Sequence, residues 1–165
     1  MKKGVMIKFF AVGGTIDKIY FDRLSDYKVG EPGCSEILKD ANVTFRYECE
    51  SILRKDSLNM TDKDRSDVFE RVAADPARFV IITHGTDTMI ETARKLKGIT
   101  GKTIVLTGAM QPARFKSSDA EFNIGAAVAA VQLLPPGVYI AMNGRIFDPD
   151  KVQKNRKRNR FEELK

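Results

Sequence analysis

Two Gly-Thr junctions in this 165-residue chain carry the groups with the greatest chemical reach. Gly13-Gly14-Thr15-Ile16-Asp17 closes one apolar run, and Thr83-His84-Gly85-Thr86-Asp87-Thr88 closes another. A threonine hydroxyl is a weak nucleophile until a neighbour takes its proton, and a tyrosine or a Thr-Lys-Asp relay does so without histidine. Thr15, Thr86 and Asp87, with Tyr20 and Tyr27 after the first turn and Lys154 near the far end, therefore suit nucleophilic attack on a small carbonyl compound. Gly14 and Gly85 let the backbone approach a ligand closely, and a third glycine turn, Leu106 to Ala113, adds Ala109 to the same set. The first two turns lack both the G-x-G-x-x-G spacing of a dinucleotide site and the lysine of a phosphate loop, so nucleotide is not expected. His84, the one histidine, is expected to hold its turn rather than react. With no other His, Cys or carboxylate cluster, neither a metal nor another cofactor is expected.

The elements that must position these groups alternate between strand-like and helix-like. Residues 5–12, 79–84, 103–108 and 138–143 are continuous apolar strands, and 43–52 alternates as a strand nearer an edge does. Helix starts are expected at Thr61 with Asp64, Thr88 with Glu91 and Ser118 with Glu121, each a hydroxyl followed three residues later by an acid. The expected fold is a three-layer α/β structure: an open, mostly parallel sheet of about five strands with helices on both faces, flavodoxin-like or Rossmann-like. Such sheets bind ligands beyond the carboxyl ends of their strands, where the glycine turns fall. Residues 14–33 join the first strand to the first helix by far more than the usual ~2–6 residues, which predicts a mobile loop over the site. No repeat or linker divides the chain, so 1–165 reads as a single domain.

A hydrophobic share of 42% is that of an ordinary globular core. No apolar run approaches the ~20 residues of a membrane helix, and Lys8 breaks the opening stretch, which reads as a strand rather than a signal peptide. A cytoplasmic protein is expected. Cys34 and Cys49 are too few for a disulfide framework or a zinc site and read as reduced thiols. The net charge of +6 is concentrated in a basic tail, 145–165, where eight Lys or Arg face four acids. Such a segment could grip phosphates, but a solvated or subunit-packing tail accounts for it as well, and nucleic acid is not the expected partner.

The phrases GGTID (13–17), THGTDTM (83–89), LTGAMQPA (106–113) and SSDAEFN (117–123) together resemble the bacterial-type L-asparaginase family. The resemblance implies hydrolysis of the side-chain amide of L-asparagine through an acyl-threonine, with weaker action on glutamine and no cofactor. It assigns Thr15 as nucleophile, Thr86 and Asp87 as partners of a lysine beyond the fifth strand, and Ser57 in DSLNM as a holder of the substrate carboxylate, with Leu58 departing from the family's glutamine. Lys154 matches that lysine, with Lys151 a nearby alternative register. Tyr20 and Tyr27 compete for the place of the lid tyrosine, with Tyr20 preferred. The family's second domain has no counterpart here, so a short, single-domain form in a dimer or tetramer is expected, with Asp87 or a partner's acid meeting the substrate ammonium. Two other readings are a non-catalytic asparagine or aspartate sensor and an ammonia-supplying subunit of a transfer-RNA amidotransferase.

Overall fold

The computed structural model describes residues 4–21 and 26–165. Its centre is a six-stranded sheet built from β1 (Met6–Gly13), β4 (Arg46–Lys55), β5 (Phe79–Thr83), β6 (Thr103–Thr107), β7 (Gly137–Met142) and β8 (Arg145–Phe147), in the order β4-β1-β5-β6-β7-β8. The first five of these are mutually parallel and only β8 pairs antiparallel, on β7. Numbered by themselves the parallel strands run 2-1-3-4-5, the flavodoxin-like order, with its topological switch between β1 and β5. The edge strand expected over 43–52 forms three residues later, as β4. Within this sheet the strand beyond the five expected is short β8, turned back by Asn143 and Gly144, both at positive φ.

Strand alternation sorts the apolar side chains into two cores. Phe10, Val12, Val80, Ile82, Ile104, Leu106, Ile140 and Met142 face α2 (Asp62–Ala74) and α3 (Met89–Leu96). Ile7, Phe9, Ile81, Val105 and Ala141 face α1 (Gly33–Asp40) and α4 (Ala120–Leu133), whose small residues Ala120, Ala127 and Ala130 fit closely against the sheet. The sheet is therefore covered by helices on both faces, the three-layer arrangement that near-continuous apolar strands require.

Two segments differ from expectation. The long 14–33 connection contains a 3₁₀ turn, Thr15–Asp17, and an antiparallel hairpin of β2 (Lys18–Phe21) and β3 (Asp26–Val29). The basic 145–165 stretch is not a solvated tail. After β8 it forms a second hairpin, β9 (Val152–Asn155) with β10 (Arg160–Glu163), anchored by Val152 and Phe161, which enter the core on the α2/α3 side.

The helix starts also divide. Thr61 and Asp64 form a reciprocal capping box at the head of α2. Thr88 caps nothing: its hydroxyl donates to the Ser57 carbonyl at 2.9 Å, and Glu91 instead pairs with Arg65 at 2.8 Å. At α4 the cap position belongs to Asp119, one residue after Ser118. Its carboxylate turns outward to accept from the N–H groups of Met110 and Gln111, while the Ser118 hydroxyl accepts from the Ala120 N–H at 3.1 Å, so a tertiary contact displaces the local hydroxyl at α3 but not at α4. No helix among the described residues is long and apolar enough to cross a membrane.

Candidate active site

Strand register brings the three glycine turns together. Ala11 of β1 lies opposite Thr83 of β5, and Thr83 opposite Thr107 of β6, so the chains leave the sheet side by side at its carboxyl edge. Between the first two turns there is no room for a side chain. Gly14 has φ of 91°, and a methyl group placed on it would collide with the backbone of Gly85. A methyl on Gly85 would in turn lie 2.5 Å from Ser57 Oγ. These contacts explain glycine at both positions and draw Thr15, Thr86 and Ser57 into one mouth.

Hydrogen bonds fix that mouth. Gly14 N–H donates to the Lys55 carbonyl at 2.9 Å, and the Thr88 hydroxyl binds the Ser57 carbonyl, so the first turn is stitched to β4's end and the Ser57 turn to the second. Lys18 Nζ reaches Asp56 Oδ2 at 2.8 Å, pinning the base of the β2–β3 hairpin to the same turn and holding the Asp56 carboxyl below its usual range. The Ser57 hydroxyl is 1% exposed and has no hydrogen-bond partner, an orphaned group suited to an oxygen of a bound ligand.

The β9–β10 hairpin delivers Lys154. Its ammonium donates to Thr86 Oγ1 at 2.7 Å and to Asp87 Oδ1 at 2.9 Å. Val152, two residues earlier on the same face of β9, and Phe161, directly across the hairpin, are buried and hold this face inward. Lys151 lies exposed at the turn before β9, so of the two it is Lys154 that contacts Thr86 and Asp87. With Lys154 donating to Thr86 Oγ1, the threonine's own proton is free to point toward a ligand.

Tyr20 and Tyr27 are cross-strand neighbours, with ring centroids 5.4 Å apart and edge to face, and Tyr27 also meets Phe115 at 5.9 Å. Both rings remain about half exposed on the hairpin, so geometry favours neither over the other as the residue that closes over the mouth. Ala109 is buried in the third turn, where Asn123 binds the Gly108 carbonyl at 2.9 Å. His84 is fully buried: Nδ1 donates to the Gly85 carbonyl at 2.8 Å, and Nε2 therefore accepts from the Thr92 hydroxyl at 2.7 Å. Burial holds this imidazole down at about 4, neutral and without access to the mouth. Among the described residues no group of three or more His, Cys, Asp or Glu side chains is placed to hold a metal ion.

The family model described as Asparaginase, N-terminal, matches residues 6–162. The chain belongs to the asparaginase family. It is 33% identical over 166 aligned positions to L-asparaginase 2 of Escherichia coli, covering 90% of this chain and 46% of that one. It is 37% identical over 123 positions to the glutaminase-asparaginase of Acinetobacter glutaminasificans, covering 69% and 36%. The solved thermostable L-asparaginase from Thermococcus kodakarensis superposes with a TM-score of 0.83 at 26% identity, covering 97% of this chain and 51% of that structure. The chain thus spans about half the length of these asparaginase relatives or less.

Around this mouth, four residues are not singled out by sequence. Arg156 places its guanidinium 3.3 Å from Asp87 Oδ1, a second cation on that carboxylate. Lys18 and Asp56 tie the β2–β3 hairpin to the Ser57 turn, and Asp119 orders the third turn from the far side. The Arg156 and Lys18–Asp56 contacts join distant segments, and Asp119 reaches back eight or nine residues. The one local signal was Asp56 immediately before Ser57, a residue type that caps tight turns through its own carboxylate and here accepts from Leu58 N–H.

Proposed function

We propose that this chain hydrolyses the side-chain amide of L-asparagine to L-aspartate and ammonia through an acyl-threonine on Thr15, with glutamine a weaker substrate. The observation that carries the reading is the Lys154 ammonium bound to both Thr86 and Asp87, beside the Thr15 turn that Gly14 packs against Gly85. Ser57 Oγ receives the substrate α-carboxylate and Asp87 its ammonium. Thr15 Oγ bonds to the amide carbon while backbone N–H groups at the strand ends steady the developing oxyanion. The Thr15 proton passes through the Tyr20 hydroxyl, which accepts it and releases its own, to the amide nitrogen, and the C–N bond breaks to release ammonia.

Water then opens the ester. Lys154 passes one proton to Asp87, and its neutral amine takes the Thr86 proton as Thr86 accepts one from water. The hydroxide bonds to the acyl carbon, the Thr15 ester bond breaks, and the protons return along the same path to restore Thr15. The functional unit in this proposal is a homodimer or homotetramer; Phe122 and Leu133, 64% and 84% exposed on the outer side of α4, supply apolar surface for such contacts.

Acid quenching during turnover tests the covalent step. A Thr86→Val variant incubated with asparagine accumulates an aspartyl adduct on the peptide containing Thr15. Ammonia release that proceeds with no adduct in either the variant or the parent, or an adduct on another residue, would remove Thr15 from the nucleophile's place.

A further inference from the structure

Away from the mouth, on the α1/α4 side of the sheet, the chain's two cysteines face one another. Cys34, in the first turn of α1, is completely buried, and Cys49, on edge strand β4, is half-buried. Their sulfurs are 3.7 Å apart, with the Cys34 thiol donating to Cys49 Sγ. A disulfide requires about 2.05 Å, so closure asks for a relative shift of about 1.7 Å. The two sulfurs are not chemically equivalent. The hydrogen bond from Cys34, with further help from Ser35 and the Lys8 ammonium, brings the Cys49 thiol down to about 7 against the opposing effect of burial. Cys34 moves the other way, because its proton is held in the bond to Cys49 and its surroundings are apolar. An accessible thiolate beside a protonated, sequestered partner is the arrangement of an attacking and a resolving cysteine.

We propose that Cys34 and Cys49 form a reversible thiol–disulfide couple driven by a peroxide, with Cys49 attacking and Cys34 resolving. In the first step the Cys49 thiolate attacks one peroxide oxygen. The O–O bond breaks, the sulfur is oxidised to a sulfenic acid, and the departing hydroxide takes a proton to leave as water. In the second step Cys34 Sγ bonds to Cys49 Sγ, the S–O bond breaks, and the hydroxyl leaves with the Cys34 proton as a second water. The peroxide supplies both oxidising equivalents, and a dithiol reductant reverses the change. The couple lies at the base of the lid connection: Gly33, next to Cys34, donates its N–H to Asp17 Oδ1 at 2.7 Å, and Asp17 closes the turn that begins at Thr15. The inference does not depend on the amidohydrolase reading.

The test treats the purified chain with hydrogen peroxide, denatures it, counts free thiols and measures intact mass. The expected result is loss of both thiols, a mass lower by two hydrogens, a 34–49 cross-linked peptide, and full recovery with dithiothreitol. Cys34→Ser should gain oxygen at Cys49 and form no internal link, while in Cys49→Ser the remaining Cys34 should react at least tenfold more slowly than Cys49 does in the parent. Retention of both thiols at a dose that oxidises free cysteine, oxygen added to Cys49 of the parent without a link, or links formed only between molecules would each overturn the proposal. Either variant alone, if the other fails to fold, still reports which sulfur attacks.

Discussion

At the scale of single residues, Lys154 is where sequence and geometry meet most tightly. In sequence Lys154 is the better match and Lys151 a nearby alternative register in the same basic stretch, and the pairing of β9 with β10 turns Lys154 inward and leaves Lys151 outside. Lys154→Met keeps most of the side-chain volume while removing the proton carrier. Turnover is expected to fall by about 10²–10⁴-fold, the range of a lost acid–base group, with the circular dichroism spectrum unchanged. A fall of less than tenfold in steady-state assays would place the relay elsewhere. Ser57 makes the complementary case. Its hydroxyl is buried and unsatisfied without a ligand, so Ser57→Ala should leave stability unchanged or slightly raised. A charge-assisted hydrogen bond contributes roughly 1.5–3 kcal/mol, so the same change should raise KM about 10–100-fold. An unaltered KM would mean that the hydroxyl does not meet the substrate carboxylate.

At the scale of elements, legibility followed the range of the forces involved. β1, β5, β6 and β7 were readable because strands buried on both faces are apolar without interruption, and β4 because an edge strand alternates. The Thr61 cap was readable because both of its hydrogen bonds lie within four residues. Thr88 offers the same pattern and does not cap, because the Ser57 carbonyl takes its hydroxyl, whereas the Ser118 hydroxyl does accept from the Ala120 N–H at the start of α4. The two hairpins were illegible for a related reason. Neither β2–β3 nor β9–β10 joins the main sheet, and both are short, polar on one side and dependent on contacts with distant segments. The second hairpin gives its own prediction. Arg156, Lys157 and Arg158 all lie exposed at the hairpin turn, and of the three Arg156 is the one whose guanidinium reaches Asp87. Replacing Lys157 and Arg158 by Gln should leave turnover within about twofold, since exposed charges of this kind contribute little, while Arg156→Gln should lower it severalfold. Equal losses from the two replacements, measured at one substrate concentration well above KM, would contradict that division.

At the scale of the whole molecule, two buried ionisable groups set opposing pH dependences of stability. Burial pushes the Asp17 carboxyl up to about 7, with the Gly33 N–H acting against it. The folded chain therefore binds that proton more tightly than the unfolded chain, and stability falls as pH rises from about 4 to 7, by on the order of 4 kcal/mol. Burial holds His84 down at about 4, so the unfolded chain binds its proton more tightly, and stability rises from about pH 4 to 6.5, by on the order of 3 kcal/mol. In the parent chain the two slopes offset each other across that shared window. Asp17→Asn keeps an oxygen for the Gly33 N–H and removes one slope. Its unfolding free energy in urea should climb between pH 4 and 6.5, and should exceed the parent's at pH 8. A variant profile as flat as the parent's would show that Asp17 does not titrate as its burial requires.

The same molecular frame carries the central claim. A flavodoxin-like sheet aligns three strand ends, glycines let two of the turns touch, and a separate hairpin brings a lysine to the threonine and aspartate of the second turn. Ammonia release from L-asparagine, followed with the purified chain beside its Thr15→Ala and Lys154→Met variants, tests this most directly. The account predicts sustained multiple turnover by the parent, no turnover above background with Thr15→Ala, and the 10²–10⁴-fold deficit with Lys154→Met. Parent-like turnover in either folded variant, or a folded parent that binds aspartate and releases no ammonia, would contradict it.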